Sequence, residues 1–145
     1  MRRSPPRPKT LLRGLLHPAY APLVRGAVHG NGTDAVRGLL LVDTGASMSA
    51  VDKEVARGLA LPTHGAAVWR AVTDLGESHT AALRRGFLQL GEDARHWELD
   101  LIEAANLRHR VEGYHVVALL GWDFLDQCRL TVDGPSRTFS LELPG

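Results

Sequence analysis

The 145-residue sequence predicts an all-β, closed or sandwich-like domain with one or two short helices. Three observations predict it. Seven or eight short apolar segments are separated by turn-forming residues. Two of them, residues 39–42 and Tyr114–Leu120, are almost continuously apolar, the pattern of strands buried on both faces. In Trp97-Glu98-Leu99-Asp100-Leu101 the alternation is clean, the pattern of a strand with one wet face.

Taken in order, residues 1–20 are rich in Pro and Arg and lack periodicity, so they read as an extended or disordered tail, with the folded domain at 21–145. Leu23–His29 reads as a strand. Gly30-Asn31-Gly32-Thr33 is a turn signal, and 35–43 reads as the returning strand. Ser49 is placed to cap a helix over 50–57, with Asp52 and Glu54 in its first turn and Gly58 ending it. Residues 68–72 and 78–83 read as a hairpin about a polar tip, and 87–90 and 97–102 as strands separated by Gly91-Glu92-Asp93. Residues 106–113 form a charged loop. After Tyr114–Leu120 a turn or two of helix spans 122–127, and 129–132 with 138–143 make a closing hairpin.

Apolar residues at 44% suit a globular chain. The formal net charge of +1 conceals an asymmetry. Arg2, Arg3, Arg7, Lys9 and Arg13 precede residue 20 with no acid among them, and the rest of the chain holds 12 basic side chains against 16 acids. A body of that balance has no electrostatic reason to seek a phosphate backbone, so no nucleic-acid partner is expected. No apolar run approaches the ~20 residues that span a bilayer, and Arg13 and Gly14 interrupt the only N-terminal stretch that resembles a targeting segment. The single cysteine, Cys128, forms no intrachain disulfide and points to a reducing, cytoplasmic compartment. The seven histidines include no tight ligand pair, so neither metal nor cofactor is expected.

The informative segment is Leu41-Val42-Asp43-Thr44-Gly45-Ala46-Ser47. An acid leaves a buried apolar strand and enters a tight turn whose glycine accepts a backbone path other residues resist. Taken alone, Asp-Thr-Gly is an ordinary β-protein turn. The second feature is Ala118-Leu119-Leu120-Gly121-Trp122-Asp123-Phe124-Leu125, where an apolar strand meets a glycine and then a short amphipathic helix.

With these two motifs, in this order, the chain resembles the retropepsin-like aspartic proteases, particularly the bacterial single-domain members, from about Pro22 to Leu143. The resemblance implies an acid-protease fold active as a symmetric homodimer on peptide or protein substrates. It implies Asp43 as the catalytic acid, Thr44, Gly45 and Ala46 as its loop, and Leu119, Leu120 and Gly121 as the motif that braces that loop. The hairpin between the motifs falls where the family carries a flap, with Trp69, Thr73, Asp74, Leu75 and Gly76 in or near it.

Peptide hydrolysis by this class needs two carboxylates sharing a proton, one acting as base on water and the other polarising the carbonyl. The sequence has one Asp-Thr-Gly, and Asp133-Gly134-Pro135, its nearest imitation, is a turn between polar residues. The second acid is therefore expected from another copy, across a twofold axis. By resemblance, Thr44 donates its hydroxyl across that axis. Ala46 stands where acid-active relatives carry Ser, so the working range is expected to shift toward mildly acidic or neutral pH. Trp122 and Phe124 read as core beneath the loop, and Asp123 as a decoration of the short helix. The alternative functions are a dimeric peptide-binding module on the same fold, and an interaction protein using the basic tail.

Overall fold

The computed structural model describes residues 2–4, 9–17, 22–69, 79–105, 107 and 109–145, with Trp69 described in its backbone alone. Eleven strands and two helices lie in these residues. They are β1 (Leu11–Leu15), β2 (Leu23–His29), β3 (Ala35–Val42), β4 (Ala50–Asp52), α1 (Lys53–Gly58), β5 (Thr63–Trp69), β6 (His79–Leu90), β7 (Trp97–Ala104), β8 (Arg110–Val111), β9 (Tyr114–Leu120), α2 (Trp122–Leu125), β10 (Arg129–Asp133) and β11 (Thr138–Glu142). Neither helix is long and apolar enough to cross a membrane.

The main sheet runs β2-β3-β9-β4-β7-β6-β5. It closes on itself because the last four residues of β6 also pair with β2, Gly26 opposite Leu90 through His29 opposite Phe87. Closure removes the edges of the strands it joins. Its interior is filled by Val28, Leu40, Val51, Leu88, Leu90, Leu101, Val117 and Leu120, all fully buried. Two pairings are parallel, β3 with β9 and β4 with β7, which is why the apolar runs of β3 and β9 lie side by side in the centre. A second sheet, in the order β1-β11-β10, packs Phe139 and Leu141 into the same core.

Several elements differ from the sequence reading. The predicted tail contains β1, which pairs antiparallel with β11, Leu11 opposite Glu142 through Leu15 opposite Thr138. The folded domain therefore includes residues before 21. The helix expected over 50–57 begins later, because Ala50–Asp52 is strand β4 between β7 and β9. Asp52, not Ser49, is the cap, its Oδ2 accepting from the Glu54 N–H at 3.1 Å and the Val55 N–H at 3.3 Å. The hairpin read over 68–83 is longer: β5 starts at Thr63, and β6 runs unbroken through the segments read as separate strands. Its tip, with Thr73, Asp74, Leu75 and Gly76, lies outside the described residues. Within the charged loop, Arg110–Val111 pairs with the start of β9 through a two-residue turn, Glu112-Gly113, with φ of 51° and 86°.

Candidate active site

Asp43 follows directly on β3, and the parallel ladder with β9 sets its place. Val42 lies opposite Leu120, and the Asp43 N–H donates to the Leu120 carbonyl at 2.9 Å. The chain then leaves the sheet in a tight turn closed by the Ala46 N–H donating to the Asp43 carbonyl at 3.2 Å. The Gly45 N–H donates to Asp43 Oδ1 at 2.8 Å, so the loop holds the carboxylate of its own first residue. A Cβ at residue 45 would stand 3.1 Å from that oxygen, which is crowded. Asp43 is half-buried, and Thr44 and Gly45 are exposed. The acid is thus held at the end of the β3–β9 ladder and still reaches solvent.

Leu120 and Gly121 stand against this loop, and Leu119 pairs with Leu41 of β3 and Ala50 of β4. Leu120 is fully buried and supplies the carbonyl that receives Asp43. Gly121 is the point of closest approach. A Cβ there would meet the Met48 carbonyl carbon at 2.5 Å, its oxygen at 2.6 Å and the Ala46 oxygen at 2.9 Å. With no side chain at 121, the Trp122 N–H donates to the Ala46 carbonyl at 2.9 Å and the Asp123 N–H to the Ser47 carbonyl at 3.1 Å. The start of α2 therefore hydrogen-bonds the loop that carries Asp43.

Sequence reasoning missed a polar clasp between the same two segments. Ser49 is fully buried, and its hydroxyl accepts from the Gly121 N–H at 3.0 Å while donating to Asp123 Oδ1 at 2.6 Å. Both Asp123 oxygens also accept the Ser49 N–H at 3.0 Å. Asp123 is thus a brace on the loop, not a decoration of the helix. Ser49 stands two positions after the Asp43 segment and Asp123 within the second motif, and nothing in the order of residues pairs them across 74 positions. Trp122 is also misplaced by the sequence reading. It is 49% exposed, not core, and its Nε1 donates to the Thr44 carbonyl at 2.6 Å. Phe124 is buried, with the Trp97 ring edge-on at 5.4 Å.

Beside the loop lies a depression of about 400 Å³ lined by Thr44, Trp122, Leu125, Cys128, Arg129 and Leu130. Desolvation pushes the Cys128 thiol up to about 11, so near neutral pH it is no thiolate nucleophile. A larger cleft of about 750 Å³ opens between β1 and the outer parts of β2 and the β8–β9 hairpin, and no residue of the 43–49 loop lines it. The smaller feature is the one that borders the Asp43 loop, through Thr44. Trp69 contributes backbone to β5, which pairs with His79 of β6.

Away from the loop, Asp93 and Arg95 tie both ends of the chain to the barrel. Arg95 Nη2 lies 2.8 Å from Asp93 Oδ2, Thr10 Oγ1 donates to the same oxygen at 2.7 Å, and Arg95 Nη1 donates to the Pro144 carbonyl at 2.6 Å. The guanidinium and the Thr10 hydroxyl hold the Asp93 carboxyl well below the usual carboxylate range.

Comparison with known proteins bears on the family and the fold. A family model described as aspartyl protease matches residues 24–124, a span that holds the Asp43 segment and the second motif through Phe124. Among solved structures the chain is similar to a retropepsin-like aspartic protease from Rickettsia conorii, with 16% identity, a TM-score of 0.50, and coverage of 94% of this chain and 96% of that one. No curated protein matches it. The chain belongs to the aspartyl protease family and has the retropepsin-like fold.

Proposed function

We propose that the protein is an aspartic endopeptidase whose dyad is Asp43 from each of two copies of the chain. The observation that carries the reading is the fixing of Asp43 at the end of a central parallel strand pair, with Oδ1 bound by the Gly45 N–H. That is the placement a carboxylate needs to hold a water and share a proton with a second acid. Thr44 and Gly45 shape the loop, and Thr44 links it to its symmetry mate. Leu119, Leu120 and Gly121 support it. The β5–β6 hairpin acts as the flap, closing over an extended peptide and excluding water. No cofactor takes part.

The test is cleavage of a diverse peptide mixture between pH 3 and 8, comparing the wild type with Asp43→Ala. The expected result is a set of cuts made by the wild type alone, with a rate maximum above about pH 4, because Ala46 offers no hydroxyl to stabilise the ionised acid. Cuts that persist in the variant would remove Asp43 from the chemistry. No cuts by either protein, with both folded, would favour the peptide-binding alternative.

A further inference from the structure

The peptide unit between Thr44 and Gly45 is held at both ends. Its N–H, on Gly45, donates to Asp43 Oδ1 at 2.8 Å, and its carbonyl, on Thr44, accepts from Trp122 Nε1 at 2.6 Å. Because that unit is planar and does not rotate internally, the indole acts on the Asp43 carboxylate through a single rigid plate. Trp122 lies 78 positions from Thr44 and is the first residue of α2. Its own N–H donates to the Ala46 carbonyl at 2.9 Å, so the side chain starts from a point already bound to the loop. The ring is half-exposed and lines the depression beside Thr44.

Asp43 to Ala46 form a four-residue turn closed by the Ala46 N–H on the Asp43 carbonyl. In such a turn the central peptide, here Thr44–Gly45, takes one of two opposite orientations, type I or type II. Type II needs a positive φ at the third residue, which glycine supplies without steric cost. Asp-Thr-Gly therefore permits both. Neither Thr44 nor Gly45 has a positive φ, so the central peptide stands in the type I orientation. A flip to type II would turn the Gly45 N–H away from Asp43 and the Thr44 carbonyl away from Trp122.

We propose that Trp122 is a positioning residue for Asp43, its indole N–H locking the Thr44–Gly45 peptide so that the Gly45 N–H stays on the carboxylate. The inference rests on the reading of Asp43 as the catalytic acid. Among the described residues the Gly45 N–H is the one donor on that carboxylate, since Ala46 offers no hydroxyl. Hydrogen bonds in series also polarise one another, so the indole bond strengthens the donor that Gly45 presents.

The test compares full-length wild type with two variants. Trp122→Phe keeps an aromatic ring and removes the donor, and Trp122→Gln restores a neutral N–H the same number of bonds from Cα. The readouts are kcat and KM for a peptide cut by the wild type, with oligomeric state matched by sedimentation, and the Gly45 amide proton shift in NMR spectra. In Trp122→Phe, kcat is expected to fall about five- to tenfold with KM unchanged, the scale of one lost hydrogen bond. The Gly45 amide proton is expected to move upfield as its bond to the carboxylate weakens. Trp122→Gln is expected to recover most of both. A Gly45 shift unmoved in folded Trp122→Phe overturns the lock. A Trp122→Gln protein as slow as Trp122→Phe overturns it too, because the ring and not its N–H would then matter. If Trp122→Phe does not fold, Trp122→Gln decides alone: a wild-type shift and rate support the lock, and loss of either overturns it. A wild type that cleaves nothing, while its Gly45 shift moves in Trp122→Phe and recovers in Trp122→Gln, supports the lock and overturns the catalytic reading of Asp43.

Discussion

Gly121 sets how closely α2 approaches the Asp43 loop, and an added methyl there meets backbone atoms that cannot rotate away. Gly121→Ala is therefore expected to cost about 2 kcal/mol of stability, in the range of overpacked sites. Thermal unfolding measures the loss, and unchanged stability would mean the loop is looser than its hydrogen bonds suggest. Asp93 gives a prediction in pH. Its carboxyl titrates lower when folded than when unfolded, so the pair with Arg95 stabilises the protein above the unfolded carboxylate value and loses that contribution as pH falls toward the folded one. Asp93→Asn is expected to lose about 2 kcal/mol at pH 7, the scale of a hydrogen-bonded charge. In urea titrations the gap between wild type and variant should stay constant above about pH 5 and shrink progressively below about pH 4. A gap independent of pH would remove the ionised pair from the account. Residue by residue, the sequence made Asp43, Gly45 and Gly121 legible because each stands where an apolar run breaks. It left Ser49 and Asp123 illegible, since their meaning is a contact between distant segments.

At the scale of elements, α1 ends in a left-handed turn built on the wrong residue. Ala60 has φ of 50°, the Ala60 N–H donates to the Arg57 carbonyl, and the Leu61 N–H donates to the Ala56 carbonyl with Leu61 buried beneath. This is the Schellman arrangement, in which glycine is favoured at the left-handed position. Ala60→Gly is expected to raise stability by about 1 kcal/mol, read as a higher denaturant midpoint with unchanged slope. A lower midpoint would show that the flexibility gained by the unfolded chain outweighs the relieved strain. The strands β2, β9 and β11 were legible because their apolar pattern and turn signals agree. Elements that depend on distant partners were not. Ala50–Asp52 has too few residues to show a period, and it is a strand because β7 and β9 receive it. Leu11–Leu15 alternates weakly behind a Pro- and Arg-rich run, and β11 makes it a strand. Glu112-Gly113 lacks the Asn or Asp that marks a two-residue hairpin, so β8 read as loop.

The whole molecule is a closed barrel that carries one half of a proposed site. The fold class could be read in advance because continuous and alternating apolar runs distinguish buried from half-buried strands. The closure of β6 onto β2 could not, since ring closure leaves no mark in either strand. Two chains are required by the proposed chemistry, because the Asp43 loop supplies one acid and each copy has one such loop. Subunit mixing tests this central claim most directly. A fixed amount of wild type, at a concentration where it is dimeric, is mixed with increasing Asp43→Ala chain and its peptide cleavage is followed. If both acids are needed, mixed dimers are inactive and activity falls toward zero as the variant comes into excess. Activity unmoved by excess variant would contradict the account, because one Asp43 would then be enough.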